Sequence, residues 1–229
     1  MLYKIQIVFY REKKATAREI LSELNDLVNL IPSWKVKPRI WYMAHPLEEM
    51  VAISDARVTN KAIEYTESLM SSKKLINIVL ADEKKDNSVL TIWLANTPAV
   101  SDNRYYLTLT ISSLDELNDK EVFSFFIHSM LSISTWDFKF ILLDTEQYKQ
   151  NKRCVFNDRL SVGWMLYLPK IIEKNEIPSA SAVEIFDGLG SLIISSDKFD
   201  GDSINDINVA NNVEIELSAI GELPLLYDI

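Results

Sequence analysis

Residues 162–169 read VGWMLYLP, and the rest of the chain is interpreted outward from this run. Gly163 opens it, where a residue without a Cβ permits a bend or a close backbone approach. Pro169 ends it, because proline has no N–H to donate to a strand ladder. The five residues between them are all apolar or aromatic and have the length of a strand. The run predicts a buried central strand, with an exposed Trp164–Tyr167 pair that docks a partner as the alternative.

The same run carries a family resemblance. Residues 163–169, Gly-Trp-Met-Leu-Tyr-Leu-Pro, resemble the signature of the immunity protein 52 family of bacterial polymorphic toxin systems. A related type VI secretion immunity family has a similar Gly-Trp-x-x-Tyr-Leu run. The resemblance implies a small α+β protein that neutralises a toxin with a restriction-endonuclease-like nuclease domain. Gly163, Trp164, Tyr167 and Leu168 are expected to be structural, and the resemblance carries no binding residue over to this chain.

Size and composition are those of a globular protein. The chain has 229 residues, of which 48 % are hydrophobic and 25 % charged, which is enough apolar material for a substantial core. No apolar run approaches the ~20 residues that span a bilayer, and the N-terminus lacks the basic start and the cleavage site of a signal peptide. The lone Cys154 cannot form an internal disulfide. We therefore expect a cytoplasmic protein.

The charge of the chain is acidic and unevenly placed. The formal net charge is −9, which argues against nucleic acid and anionic membrane as partners and favours a basic partner. Residues 197–229 contain eight acids and one lysine, a net charge of −7. This acidic end is either a solvated surface that aids solubility or a surface that attracts a basic protein.

Hydrophobic periodicity predicts an α+β chain in which strands and helices are interspersed. Strands are predicted at 3–10, 34–43, 75–81, 89–95, 104–112, 138–143, 164–168, 183–186 and 189–194. Helices are predicted at 15–31, 54–71, 121–134 and 204–220. Ser54 is the predicted cap of the second helix, and Asp202 or Ser203 that of the last, with Gly221 at its C′ position. A linker is predicted at 97–102 and a polar loop at 144–158.

An internal repeat is predicted from a single offset. Sliding the chain by 102 residues places Tyr3 on Tyr105, and it also places Trp34 on Trp136. The strand and helix between these positions align as well. We infer one α+β domain, 1–229, built from an internal repeat, about 1–98 and 103–229. Each repeat is a β-α-β unit followed by a hairpin, at 75–95 and 183–194, and one or two mixed sheets are covered by helices.

Catalytic and cofactor motifs are not found in the sequence. His45 and His128 have no second ligand at metal spacing, and Cys154 has no His at short sequence distance. The five glycines allow neither a dinucleotide fingerprint nor a P-loop. The acidic run at 197–206 does not have the spacing of a calcium loop, and helix capping explains it better. We expect no cofactor, no metal site and no enzymatic activity.

The sequence as a whole predicts an immunity protein that occludes a cognate toxin with a basic, nuclease-type surface, in a stoichiometric complex. It predicts no nucleic-acid or membrane partner. Alternatives that stay open are a carboxylate-based hydrolase and a scaffold protein or homodimer that uses exposed sheet edges. The predicted toxin-binding residues are acidic and form two groups. The first is Asp197, Asp200, Asp202, Asp206, Glu214 and Glu216, and the second is Asp115, Glu116, Asp119 and Glu121.

Overall fold

The α+β class is confirmed by a computed structural model, which describes residues 2–32, 38–45, 49–73, 75–82, 89–97, 101–112, 120–133, 135–151 and 155–229. Within these ranges the helices are α1 (Ala17–Leu30), α2 (Asn60–Lys73), α3 (Lys120–Ile133), α4 (Glu146–Asn151) and α5 (Ile204–Ala219). The first strands are β1 (Leu2–Tyr10), β2 (Ile40–Met43), β3 (Met50–Ser54), β4 (Arg57–Val58), β5 (Asn77–Ala81) and β6 (Leu90–Thr97). The others are β7 (Ser101–Ser112), β8 (Asp137–Thr145), β9 (Met165–Leu168), β10 (Ala182–Phe186) and β11 (Gly190–Ile194). Every helix in the described ranges is too short or too polar to traverse a lipid bilayer.

The chain divides into two compact units. The first comprises residues 1–8, 113–124 and 138–229, and the second comprises residues 9–112 and 125–137. In the first unit the strand order is β10-β11-β9-β8-β1, and in the second it is β7-β6-β5-β2-β3-β4. The predicted repeat pairs positions of like burial: Tyr3 and Tyr105 are both fully buried. Trp34 lies outside the described residues, and the repeat itself stays a prediction.

Strand β9, formed by the VGWMLYLP run, lies inside the sheet of the first unit. It pairs antiparallel with β8 and β11, so that Leu166 lies opposite both Leu142 and Ile193. All four of its residues are buried, and Trp164, just before it, is fully buried as well, which excludes an exposed Trp164–Tyr167 pair. At Gly163 the φ angle is +58°, and an added Cβ would lie 3.1 Å from the Leu143 carbonyl oxygen. A glycine is therefore needed where the chain enters the strand.

Aromatic side chains fill the core of the first unit around Trp164. Its ring lies 5.3 Å from that of Phe123, 6.2 Å from that of Tyr3 and 6.5 Å from that of Phe199. The indole N–H donates to the Ser196 carbonyl oxygen at 2.9 Å, so the one polar atom of the side chain is satisfied. Burial of these large rings makes a major contribution to the apolar core of this unit.

The second unit has a sheet with one buried and one exposed face. Along β5 and β6 the buried positions alternate with exposed ones, as the period of a strand requires. Ile78, Leu80, Ile92 and Leu94 are buried, whereas Val79 and Trp93, paired across the two strands, are exposed. Helix α1 begins with a capping box, in which Thr16 accepts from the Glu19 N–H and Glu19 accepts from the Thr16 N–H.

The segment between β2 and α2 corrects the sequence prediction. Ser54 does not cap a helix; it ends β3, which forms a hairpin with β4 through a two-residue turn. Thr59 fills the capping position of α2 instead, because its Oγ1 accepts from the Ala62 N–H at 3.2 Å. The apolar run Met50–Ile53 has the length of a short strand, but Ser54 directly after it suggested a helix start.

Two further segments differ from their predictions. The predicted linker joins paired strands, since Thr97 ends β6 and pairs with Ser101 at the start of β7. The predicted polar loop contains α4, which buries Tyr148. At α5 the predicted capping is confirmed, because the Ser203 side chain accepts from the Asp206 N–H and Gly221 has a φ of +78°. Cys154, in the same predicted loop, lies outside the described residues.

Candidate partner-binding surface

The acidic turn, defined as residues 197–206, leads from β11 into α5 in the first unit. Its carboxylates hold its own backbone. The Asp200 N–H donates to Asp206 at 2.9 Å, and the Asp202 N–H donates to Asp200 at 2.9 Å. Asp206 also lies in the first turn of α5, where a negative charge interacts favourably with the positive end of the helix dipole. The turn is therefore an ordered acidic surface whose charges are fixed in direction.

Asp197 begins the acidic turn and is partly neutralised. Its carboxylate accepts hydrogen bonds from Lys120 and from the Ser181 hydroxyl, the latter at 2.6 Å. The hydrogen bond from Lys120 is the main reason that the pKa of Asp197 lies below its ordinary value. The pKa of Lys120 is raised by the same hydrogen bond. Because this pair is nearly neutral, the negative charge offered to a partner comes mainly from the following aspartates.

A shallow depression of about 300 Å³ adjoins the acidic turn at the start of α5. Polar side chains of Asn151, Asp202 and Asn208 line it, together with Ile204 and Ile207. Ile204 is 72 % exposed, and the Asn151 side-chain amide donates to Asp202 at 2.6 Å. An exposed apolar side chain next to an oriented carboxylate has the composition of a small interface patch.

Glu214 and Glu216, also predicted to contact a toxin, are tied to the protein itself. Glu214 is only 3 % exposed and accepts from the Tyr148 hydroxyl and from the Val162 N–H, both at 3.1 Å. It is unavailable to a partner and joins α5 to α4 and to the VGWMLYLP run. Glu216 is half-buried and accepts from the Ser179 N–H at 2.9 Å and from its hydroxyl at 2.6 Å.

Of the second group of predicted toxin-binding residues, the structure describes only Glu121. Glu121 is exposed in the first turn of α3. Asp115, Glu116 and Asp119 lie outside the described residues. The structure therefore places the acidic turn and Glu121 in the first unit without defining the surface between them.

The sequence did not lead us to an exposed tryptophan on the second unit, Trp93, which packs against the half-buried Tyr106. Trp93 is 42 % exposed, its ring lies edge-on to Tyr106 at 5.5 Å, and its indole N–H donates to Asn77 at 2.8 Å. The signal was the alternation in β6, where Ile92 and Leu94 share the opposite face. Exposed tryptophans held in one orientation are frequent anchors of protein interfaces.

Metal-ligand clusters of three or more His, Cys, Asp or Glu residues are absent from the described part of the chain. His45 packs its ring edge-on against Tyr65 at 4.6 Å. His128 is exposed on α3. Neither histidine belongs to such a cluster among the residues that the structure describes.

Comparison with known proteins gives a likeness in fold. No protein-family model matches the chain, and no curated protein matches it in sequence. The resemblance of the VGWMLYLP run to immunity protein 52 therefore stays a prediction. Among solved structures, a Pseudomonas aeruginosa T6SS (type VI secretion system) protein matches with a TM-score of 0.50 and 11 % identity, over 86 % of this chain and 69 % of that chain. In fold, the chain is similar to a protein of a type VI secretion system.

Proposed function

We propose that the protein is an immunity protein of a type VI secretion system, which binds a cognate toxin with a basic surface and blocks it stoichiometrically. The observation that carries this proposal is the ordered acidic turn beside the exposed Ile204. The likeness in fold to a T6SS protein and the resemblance of the VGWMLYLP run support the same reading. The function needs no catalytic group, and we propose that the protein is not an enzyme.

The acidic turn suits capture of a basic protein for an electrostatic reason. A nuclease must present Lys and Arg side chains to phosphates, so an opposing acidic surface attracts its cleft. Such steering raises association rates by about 10- to 1000-fold at low salt. Fast capture matters because an unbound toxin damages the cell that makes it. Ile204 would add affinity where its side chain is buried by the partner, as apolar anchors at interface centres do.

The test uses the toxin encoded beside this gene, if that neighbour has a C-terminal nuclease domain. Rescue of cells by co-expression is measured first. Association rates of the purified proteins are then compared at low and high salt for Asp202→Lys and Ile204→Ala. Asp202 is preferred to Asp200 and Asp206, because those two hold the turn together. The matched control is Glu67→Lys, which reverses an exposed charge on α2.

The variants are expected to distinguish electrostatic steering by the acidic turn from the apolar contact of Ile204. Asp202→Lys lowers the association rate several-fold at low salt and little at high salt, because screening removes the steering. Ile204→Ala raises the dissociation rate at both salt concentrations. Glu67→Lys changes neither rate. Equal rates for all three variants and the wild type would remove the acidic turn from the interface, and failure of rescue would refute the immunity function.

A second candidate, a scaffold or homodimer, is favoured by one observation, the exposed Trp93, which is held edge-on against the half-buried Tyr106. Tryptophan is among the residues enriched at the energetic centres of protein interfaces. Sedimentation at several concentrations distinguishes the candidates. Concentration-dependent dimers that Trp93→Lys dissociates would support the scaffold, whereas a monomer at all concentrations would refute it.

A further inference from the structure

A cavity of about 200 Å³ lies in the second unit, between the C-terminal ends of α1 and α3. Its lining combines two carboxylates, Glu23 and Asp26, with the apolar side chains of Leu27 and Met130 and the indole of Trp136. All of these residues belong to the second unit. The cavity is therefore distinct from the acidic turn.

The floor of the cavity is apolar and rigid. Leu27 and Met130 are 3 % and 1 % exposed. The Trp136 ring stacks on Phe9 with centroids 4.1 Å apart and an angle of 11° between the planes. The indole N–H of Trp136 donates to Glu23 Oε2 at 2.8 Å. One end of the indole is thus fixed by stacking and by a hydrogen bond, and its position does not depend on a ligand.

The charge at the mouth of the cavity is negative. Glu23 forms an ion pair with Arg11, whose pKa is lowered by burial. This pair is close to neutral, and Asp26 adds a further carboxylate that is exposed to solvent. Helices α1 and α3 both direct their C-terminal ends here, and neither has a basic residue in its last turn. The carbonyl groups at such ends carry partial negative charge, which favours a cation.

We propose that this cavity binds an alkylammonium or alkylguanidinium group. Such a group has an apolar stem, which lies along Leu27, Met130 and Trp136, and a cationic head, which lies at Asp26 and at the helix ends. Lys and Arg side chains partition in this way at protein surfaces. A carboxylate ligand is repelled by the same charges, and a neutral alcohol of equal length gains only the contact with the floor. The proposal does not depend on the immunity function.

The experiment follows the indole N–H signal of Trp136 in two-dimensional NMR spectra of the full chain. Because the chain has five tryptophans, the signal is assigned with Trp136→Phe. The probes are n-butylguanidinium and n-butylammonium, with n-butanol and butyrate as matched controls. We expect saturable shifts of the Trp136 signal with the two cations and only weak shifts with butanol and butyrate.

Three variants test whether the Asp26 carboxylate contributes to binding of the two cations. Asp26→Asn, at an exposed position, is expected to weaken binding of both cations about two- to fivefold, the size of a lost charge contact at the surface. Glu67→Gln, which removes an equivalent exposed charge on α2, leaves the affinity unchanged. Thr135→Lys, also on an exposed lining residue, is expected to abolish binding because the tethered ammonium occupies the cavity.

One further comparison distinguishes two sources of the cation, a side chain of a partner protein and a free small molecule. Blocked tripeptides with a central Lys or Arg that bind more tightly than the free amines indicate a side chain of a partner protein, and the reverse order indicates a small amine. Equal shifts with butanol, or an affinity that Asp26→Asn does not change, would overturn the proposal. Because the readout is the binding of a small probe, its failure says nothing about toxin capture by the acidic turn.

Discussion

At the scale of single residues, Gly190 is a position where the backbone leaves no room for a side chain. It begins β11, has a φ of +152°, and an added Cβ would lie 2.2 Å from the Leu168 carbonyl oxygen. Gly188, two residues earlier, has a φ of +74° with nothing within 4 Å of that Cβ. A side chain at Gly188 would cost only the strain of a positive φ, whereas a side chain at Gly190 would also collide with β9.

We expect Gly190→Ala to lower the free energy of unfolding by about 3 kcal/mol or more, since it combines strain with overpacking. Gly188→Ala is expected to cost about 1 kcal/mol, the cost of the left-handed conformation alone. Urea denaturation measures both values. Equal costs for the two variants would mean that β9 moves away from the added methyl group without loss.

Ala56 presents the opposite case, a side chain where glycine would fit better. The two-residue turn between β3 and β4 has φ angles of +47° at Asp55 and +58° at Ala56. Hairpin turns of this kind favour glycine, because alanine in the left-handed region is strained. Ala56→Gly is expected to raise the free energy of unfolding by about 0.5 kcal/mol. Ala219→Gly, an exposed position in the last turn of α5, is expected to lower it.

Glu214 shows how far the sequence could specify the candidate surface. It lies four residues after Ala210 and three before Leu217, both fully buried, so the helical period already placed it on the inner face of α5. The sequence nevertheless suggested a surface position for Glu214, because it lies in the acid-rich segment 197–229. Its partners could not be predicted, because Tyr148 and Val162 are 66 and 52 residues away in sequence.

At the scale of elements, α1 owes its start to the capping box of Thr16 and Glu19. The Thr16 N–H donates to Glu19 at 2.8 Å, and the Glu19 N–H donates to the Thr16 hydroxyl at 3.2 Å. The hydrogen bond from the Thr16 backbone is the main cause of the lowered pKa of Glu19. Thr16→Ala is expected to lower the free energy of unfolding by about 1 kcal/mol.

The pH dependence of the stability that this capping box contributes follows from the lowered pKa of Glu19. Because the folded-state pKa of Glu19 is below its unfolded value, its contribution is fully present above the unfolded pKa and is lost as the pH falls through the folded pKa. Thermal unfolding of Glu19→Gln and the wild type is therefore expected to differ most at neutral pH and to converge in acid. A difference that grows on acidification would contradict the assigned sign.

Helices and strands were predicted well wherever the hydrophobic period and the residues that stop an element indicated the same boundary. Helix α1 was predicted at 15–31 and is found at Ala17–Leu30, since Pro32 and the apolar stripe indicate the same end. Prediction failed at Ser54, because serine caps helices and also ends strands, and only the pairing of β3 with β2 decides. Helix α4 has six residues, too few for a helical period to be visible, and it is held by Tyr148 packing on Phe199.

At the scale of the whole molecule, the arrangement of strands in the first unit determines where it is most stable. Strand β9 is paired on both sides and all its residues are buried, whereas β10 is paired in this unit with β11 and has Ile185 exposed. Backbone amides in central, doubly buried strands open only in global unfolding, and those at edges open locally. The VGWMLYLP run therefore forms the least mobile part of the unit that carries the acidic turn.

Hydrogen exchange under native conditions tests this ordering. We expect the amides of Leu166 and Tyr167 to exchange at least about 100-fold more slowly than the β10 amides at the sheet edge, a difference of about 2.7 kcal/mol in opening free energy. Exchange of the Asp202 and Asp206 amides is also expected to be slowed, because both are hydrogen-bonded within the turn. A rigid acidic turn binds a partner without a large ordering cost, so free exchange at both amides would contradict the preorganised surface on which the proposed capture mechanism depends.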